Sequence, residues 1–571
     1  MLENELMSLG ILFFFAIVGS FIANKIKQPA VIGLLLIGAI IGPNALGYVN
    51  DVAMIDMMAE LGAILLLFVV GLEFVIPKLA KIGFKAAIVG VLKIGISFFI
   101  TYEIVLLLGL SQKVALILGV MLSVSSTVVI VKILESKGLY ERQEMPLLIG
   151  ILIVEDLFAV IVLTFIGSFE GSAGIFVVME KLIFALTVMI VTYILMLRIM
   201  PKLLSILTDE GSEEMSTFIA LGICAGFSYL AFILGLSPAT GAFIAGSIVA
   251  SLPQVKTIEH AIKPYTLAFS SLFFIAIGSM VNFSAITNNL TLLLVLVVVT
   301  IIAPFLTVGF VSYLFANFTR QQVMFSSIAM LSVGEFSLLI AKMAAPITPE
   351  IDLVSIAAFI IFITAIIMSF AISYHKQATD ILVSRNPYSK PRSFSNFMRL
   401  LTEELDTEST HSLNVKSKAL KSGFFLLFVT FIISAGRHLS DYFTVLGIGK
   451  QYLFFAYIGL VFLGLIFGYM AAANFFSMYN STLSIITNLD TTGNKKRSQY
   501  ILNNLLFALM LLMVSVFSPV LITLFNLPGW INIASFMLLL FVIFRFNRMF
   551  NYLHYSAEKA IFPGTLKQHK I

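Results

Sequence analysis

Two adjacent acids lie in the middle of an apolar segment, where Glu155 and Asp156 interrupt the stretch ILIVEDLFAVIVL. A charged carboxylate at the centre of a membrane helix costs about 2.5 to 3.5 kcal/mol on insertion scales, so it is expected to face water, a cation or a counter-charge. Neighbouring residues point about 100° apart on a helix, so the two acids need not share one role. We predict that Asp156 binds a proton or a small cation, and Glu155 either joins it or bonds neighbouring helices.

Hydroxyl side chains cluster in a second apolar segment, and a related segment carries an acid at the matching place. The first segment begins MLSVSST at Met121, and the second begins MLSVGEF at Met330. Such hydroxyls can simply bond carbonyls one turn earlier. If the helices are broken instead, the freed carbonyls can coordinate a cation and the dipole ends face each other. We favour broken helices, with site residues Ser125, Ser126, Thr127, Gly334 and Glu335. The alternative role for Glu335 is structural, namely neutralising the backbone amides that the break frees.

The elements that must position these residues are long apolar runs. Of the 571 residues, 60% are hydrophobic and 11% are charged, against about 25% charged in a soluble domain. The chain is therefore predicted to be an all-α polytopic membrane protein. Thirteen runs long enough to span begin near Leu6, Ala30, Ala53, Ala86, Val114, Glu144, Ile175, Met215, Pro238, Pro264, Leu290, Gln322 and Ile351.

Basic residues between the runs predict the topology. With the N-terminus outside, the inner loops hold Lys25, Lys27, Lys78, Lys81, Lys85, Lys137, Arg142, Arg198, Lys202, Lys256, Lys263 and Arg320, while the outer loops hold only Lys113. This asymmetry follows the positive-inside rule and predicts an N-out, C-in core. The net charge of +5 forms no continuous basic face, which argues against nucleic-acid binding. The one cysteine, Cys224, excludes disulfides within the chain.

The runs repeat. PAVIGLLLIGAIIGP (29–43) matches PATGAFIAGSIVAS (238–251), and the segment at Met121 matches that at Met330, with offsets of 208 and 209 residues. Because seven runs separate the members of each pair, the two halves cross the membrane with opposite polarity. An inverted-topology repeat is typical of secondary transporters.

The sequence predicts three domains. Residues 1–376 form the thirteen-helix transmembrane domain, and its first run is kept as a helix because no signal-peptide cleavage site follows it. Residues 377–421 are polar and predict a cytoplasmic linker. Residues 422–571 predict about four more membrane helices near 422–436, 451–474, 500–521 and 530–546, of which the first is short for a span.

A set of segments in residues 6–376 resembles the cation/proton antiporter-2 family, the Kef-type and NapA-type exchangers. The segments are LLLIGAIIGP, AELGAILLLFVVGLEF, SVSSTVVIVKILESKG, VEDLFAV, LGLSPATGAFIAG, LFFIAIGSM and GEFSLLI. The resemblance implies a homodimer with a gate domain (helices 1–3 and 8–10) and a moving core domain (helices 4–6 and 11–13). It also implies that Asp156 carries the ion and proton, and that Ser126 and Thr127 supply broken-helix hydroxyls.

The chain departs from this family in three respects. At the position of the acidic pair, electrogenic sodium members of the resembling family have Asp-Asp and potassium Kef members have Gln-Asp, whereas this chain has Glu155-Asp156. The family often has a lysine in the eleventh helix, but residues 290–318 contain no Lys or Arg. Lys93 in the fourth run is the alternative counter-charge, unless its long side chain snorkels to the inner surface. The soluble nucleotide-binding domain of Kef members has no counterpart here.

Together these features predict a secondary active antiporter, not an enzyme, that exchanges Na⁺ or K⁺ for protons by alternating access in the cell membrane of a prokaryote, as in pH homeostasis. Asp156 would be the ligand of the transported cation, and no cofactor is expected because no phosphate-binding loop occurs. If Lys93 holds Glu155 ionised, the exchange is electroneutral. The alternatives are a cation channel built on the same acids and a membrane sensor that transports nothing.

Overall fold

The computed structural model describes most of the first 377 residues and parts of the remainder. Up to residue 377 it describes all positions except 1, 27, 74–83, 167–187, 190, 200–212, 235, 253–254 and 317. Beyond residue 400 it describes 401, 404–405, 409–419, 451–489, 498–504 and scattered single positions up to 541. Every regular element in these described parts is helical.

The helices fall into two comparable series. The first contains α1 (Leu2–Lys25), α2 (Ala30–Ile41), α3 (Val52–Glu73), α4 (Phe84–Leu107), α5 (Gln112–Met121), α6 (Thr127–Ser136) and α7 (Met145–Ile166). The second contains α8 (Glu213–Ile233), α9 (Pro238–Ala250), α10 (Val255–Ser279), α11 (Phe283–Asn288), α12 (Leu290–Pro304), α13 (Phe310–Phe315), α14 (Arg320–Ala329), α15 (Phe336–Ala344) and α16 (Leu353–Ser373). A long helix, α17 (Gln451–Leu489), follows later.

Length and composition identify the membrane-spanning helices. Within the described residues, seven helices are long and apolar enough to cross a membrane, and five shorter apolar helices accompany them. The protein is therefore a multi-pass membrane protein, as the composition predicted. The predicted run near Ile175 begins outside the described residues, and only 188–189 and 191–199 of it are described, as helix, so a total of thirteen helices stays a prediction. The tenth helix, α10, begins earlier than predicted, and Pro264 lies inside it.

The second series repeats the first. Ala30 and Pro238 begin matching helices, as do Gln112 and Arg320, and each pair is 208 residues apart. Met145 and Leu353 repeat the same interval. The repeat found in the sequence thus recurs in the positions of the helices.

Packing divides the described helices into two groups. In one group α3 packs on α9 and α10, α2 packs on α1 and α10, and α8 packs on α9. In the other group α4 packs on α5 and α7, while α15 packs on α5, α7 and α16. These groups match the gate and core divisions that the family resemblance implies.

Glycines allow the closest approach in the first group, and their contacts obey the repeat. A Cβ built on Gly71 would lie 3.0 Å from the Cα of Gly246, and one on Gly38 would lie 3.0 Å from the Cα of Gly278. Gly38 and Gly246 are repeat counterparts, and so are Gly71 and Gly278. The two contacts are therefore the same contact seen from each half, as a pseudo-two-fold axis between inverted repeats requires.

The C-terminal part contacts the transmembrane core. Buried Leu401, Leu405 and Val415 lie in one apolar cluster with Met145 and Phe325, which are core residues. The imidazole Nδ1 of His411 lies 3.0 Å from the Ser484 hydroxyl of α17. Helix α17 is longer than the predicted span 451–474, because no Gly or Pro occurs between Gly468 and Gly493 to end it. The other three predicted tail helices lie wholly or mostly outside the described residues.

The glycine contacts generate a stability prediction. We expect Gly71→Val to lower the stability of the protein, because the new side chain must displace the backbone of α9, and overpacking typically costs about 1 to 3 kcal/mol. Gly226→Val in α8 is the matched control, since a Cβ there meets nothing within 4 Å. Thermal unfolding in detergent measures both variants. Equal midpoints for the two variants would contradict the close packing of α3 on α9.

Candidate functional site

Two interrupted helices cross in the core group. Residues 122–126 separate α5 from α6, and residues 330–335 separate α14 from α15. The backbone N–H of Ser126 donates to the carbonyl of Ser332 at 3.0 Å, and that of Gly334 donates to the carbonyl of Val124 at 3.0 Å. Ser125 and Val333 form an isolated antiparallel bridge between the breaks. The helices are thus broken where the hydroxyl cluster and its repeat counterpart predicted.

Gly334 makes this crossing possible. A Cβ built on Gly334 would lie 2.6 Å from the carbonyl oxygen of Ser125, closer than real Cβ atoms come to backbone. Any larger residue would therefore separate the two breaks and weaken their backbone hydrogen bonds.

Ser126 links the two breaks through its side chain. As the N-cap of α6, its hydroxyl accepts the N–H of Val129 at 3.1 Å. The same hydroxyl donates to Glu335 Oε2 at 2.6 Å. Glu335 is buried, and its side chain makes no capping hydrogen bond to α15. Glu335, in the second break, is thus hydrogen-bonded to the Ser126 hydroxyl of the first break.

Asp156 lies beside the start of α6. Its Oδ2 accepts a hydrogen bond from the Thr127 hydroxyl at 3.0 Å, and the side chain is 7% exposed. A carboxylate and a hydroxyl next to the free end of a helix supply oxygen atoms that can replace water around a small cation. The same carboxylate can instead hold a proton. The arrangement can therefore bind either a small cation or a proton at the same carboxylate.

Glu155 faces a different partner from its neighbour. Its Oε1 lies 2.9 Å from Lys93 Nζ, and its Oε2 accepts the backbone N–H of Ser125 at 2.6 Å. Lys93 is 3% exposed and also donates to the carbonyl of Ser123 and to the hydroxyl of Ser125. Lys93 therefore contacts the first break and does not reach the inner surface.

The predicted run near Leu290, the eleventh of the thirteen, corresponds to α12 and has an irregular turn. In the resembling family this helix often carries a lysine. Helix α12 ends at Pro304 and continues as a π-turn, Phe305–Gly309, that packs against α4. The Thr307 hydroxyl donates to the carbonyl of Ala303 at 2.7 Å, four residues earlier. Lys93 on α4 thus supplies a positive charge from the helix that neighbours this turn.

Two residues that support the breaks were not predicted from the sequence. The Ser337 hydroxyl donates to the carbonyl of Met121, the last residue of α5. The Thr364 hydroxyl accepts the N–H of Val333 at 3.2 Å, as Glu155 accepts that of Ser125. Thr364 lies on α16, the repeat mate of α7, so the repeat points to the correct helix but not to this residue. Ser123 bonds the carbonyl of Val120, as a hydroxyl without function would.

The chain is similar in sequence to known proteins. Residues 10–374 match the family described as sodium/hydrogen exchanger, transmembrane. The probable Na⁺/H⁺ antiporter GerT of Bacillus cereus is 30% identical over 327 residues, which are 56% of this chain and 85% of that protein. The Na⁺/H⁺-K⁺ antiporter GerN of Bacillus cereus is 27% identical over 321 residues, covering 56% of this chain and 82% of that protein.

A solved structure is also similar. The sodium proton antiporter MjNhaP1 from Methanocaldococcus jannaschii aligns with 66% of this chain and 99% of its own, at 18% identity and a TM-score of 0.49. The family match covers more than half of the chain and includes both helix breaks, Lys93, the Glu155-Asp156 pair and Glu335. The chain belongs to the transmembrane sodium/hydrogen exchanger family.

Proposed function

We propose that the protein is a secondary active antiporter that exchanges Na⁺ or K⁺ for protons across the cell membrane. The observation that carries this proposal is the position of Asp156, a buried carboxylate beside the Thr127 hydroxyl where two broken helices cross. Membership in the exchanger family and antiport by the named relatives support the same reaction. The ion gradients supply the driving force, so transport needs no chemical reaction and no cofactor.

The proposed mechanism is competition at Asp156. In one half of the cycle the carboxylate binds a dehydrated cation, with Thr127 and Ser126 and the freed carbonyls as further oxygen ligands. In the other half it binds a proton. The core group carries the site from one side of the membrane to the other only when a cation or a proton neutralises the carboxylate, because moving a bare charge through the hydrocarbon region is costly.

The proposed domain division assigns transport to residues 1–376. The family match ends at residue 374, just before the predicted linker 377–421. We propose that the gate group forms the contact of a homodimer and that residues 422–571 stabilise or regulate the exchanger. Packing of Leu483 and Ile486 in one apolar cluster with the core residues Met145 and Phe325 supports a stabilising contact.

The first functional prediction tests the carboxylate. Asp156→Asn should abolish cation-driven proton flux in proteoliposomes while folding is retained, because the amide keeps the size but binds neither ion. Asp56→Asn is the matched control, since Asp56 is an aspartate at the outer end of α3 whose side chain is 54% exposed. Flux near the wild-type level in the Asp156→Asn protein would remove Asp156 from the site.

The second functional prediction tests the hydroxyl. Thr127→Val removes the hydrogen bond to Asp156 but keeps the branched shape. We expect the cation concentration for half-maximal exchange to rise about tenfold, since a buried ion loses one oxygen ligand. Thr127→Ser should restore the value to near wild type. An unchanged concentration in the valine variant would show that this hydroxyl does not contact the cation.

The third functional prediction concerns the tail. A protein ending at about Ser395 should still exchange ions, because all proposed site residues precede that point. Its thermal stability should fall, since removal of Leu401, Leu405 and Val415 exposes the apolar cluster around Met145 and Phe325. Flux assays and thermal unfolding test the two parts separately. A folded, dimeric truncated protein without exchange would contradict this domain division.

A further inference from the structure

The buried ammonium group of Lys93 is surrounded by three oxygen atoms. Its Nζ lies 2.9 Å from Glu155 Oε1, 2.7 Å from the carbonyl oxygen of Ser123 and 2.8 Å from the hydroxyl oxygen of Ser125. An ammonium group has three N–H donors and no acceptor. The ammonium thus donates to two groups of the first helix break and forms an ion pair with Glu155.

Both carboxyl oxygens of Glu155 face groups that carry N–H hydrogens. Its Oε2 accepts the N–H of Ser125 at 2.6 Å, its Oε1 faces the Lys93 ammonium, and the side chain is fully buried. A protonated acid would need to donate a hydrogen from one of these two oxygens. Both oxygens already face donors, so the geometry fits a carboxylate paired with an ammonium.

The two charges lie at opposite dipole ends of the break. Ser123, whose carbonyl accepts from Lys93, follows the end of α5, and Ser125, whose N–H donates to Glu155, precedes the start of α6. A cation is stabilising at a helix C-terminus and an anion at an N-terminus. The pair therefore opposes both half-helix dipoles at once.

The second break uses a neutral group at the corresponding place. There the N–H of Val333, which lies 208 residues after Ser125, is accepted by the Thr364 hydroxyl. The corresponding backbone N–H is thus satisfied in the second break without any charge. A role in holding the break is sufficient to explain Glu155, and such a role requires no transported ion.

We propose that Lys93 and Glu155 are positioning residues. They form a fixed charge pair that maintains the break between α5 and α6 and carries neither the transported cation nor the transported proton. This inference rests on the proposed antiport and deepens it. Asp156 is then the group that exchanges occupants, one cation for one proton. Each turnover moves no net charge across the membrane, so the exchange is electroneutral.

The first experiment uses the full-length wild-type protein in proteoliposomes. A trapped pH dye reports proton flux after a jump in Na⁺ or K⁺ concentration, and a solid-supported membrane reports the charge moved under the same jump. We expect proton flux without a sustained current. Flux accompanied by a sustained current overturns the electroneutral pair but leaves the antiport standing. Absence of flux with both cations overturns the antiport itself and this inference with it.

The second experiment compares the pair with its parts. Lys93→Met and Glu155→Gln each leave a lone buried charge, so each should slow exchange by about tenfold or more. The double variant Lys93→Met/Glu155→Gln leaves no lone charge and should recover most of the lost rate, still without current. Lys342→Met is the matched control. Lys342 Nζ lies 3.1 Å from Asp56 Oδ1, and this ion pair is not part of the helix crossing.

The double variant also separates positioning from ion binding. Its coupling ratio of cation to proton should equal that of the wild type, since neither residue carries an ion. A folded double variant that is as slow as the single variants, or that has a changed coupling ratio, overturns the proposal. If the double variant does not fold, the wild-type current alone decides between electroneutral and electrogenic exchange.

Discussion

The structure depends on how peptide groups are satisfied where two helices are interrupted inside the hydrocarbon region. Lipid offers no hydrogen bonds, so an exposed break would leave backbone donors and acceptors unpaired at a cost of several kcal/mol for each group. Here each break supplies the partners of the other, from Ser126 to Ser332 and from Gly334 to Val124. Neither half of the repeat can keep its irregular backbone alone. The inverted repeat is thus a physical requirement of this site, because only an antiparallel partner presents donors and acceptors in the matching order.

The same requirement explains where the close contacts occur. Transmembrane helices associate without a hydrophobic driving force between them, so small residues that allow close approach determine which faces meet. In the first helix group the pairs Gly71 with Gly246 and Gly38 with Gly278 join one repeat to the other. In the core group Gly334 does so at the crossing. Large side chains at these positions would separate the two repeats, whereas Gly222 and Gly226 in α8 face open space and carry no such constraint.

Much of this arrangement was predictable from the sequence, because a repeat leaves its period in the residues. The 208- to 209-residue offset located both breaks, and apolar length located the helices around them. Side-chain direction was not predictable in the same way. Whether Lys93 snorkels or pairs depends on which face of α4 meets α5, and a run that is apolar on nearly every side does not reveal that face. The contact of Ser337 with Met121 joins residues 216 positions apart and has no local signal. The extent of α17 depended on the absence of helix breakers beyond the apolar stretch.

The contrast between Glu155 and Asp156 follows from helix geometry and not from their chemistry. Consecutive side chains diverge by about 100°, so on α7 one carboxylate faces the peptide groups that precede α6 and the other faces the hydroxyl of its first residue. Glu155 meets a backbone N–H and an ammonium, which are partners that suit only an anion. Asp156 meets Thr127, whose hydroxyl can donate to a carboxylate or turn its oxygen toward a cation. A partner that serves both states permits exchange, and a partner that serves one state prevents it. The environment of each acid therefore supports the proposal that Asp156 carries the exchanged charge and Glu155 a fixed charge.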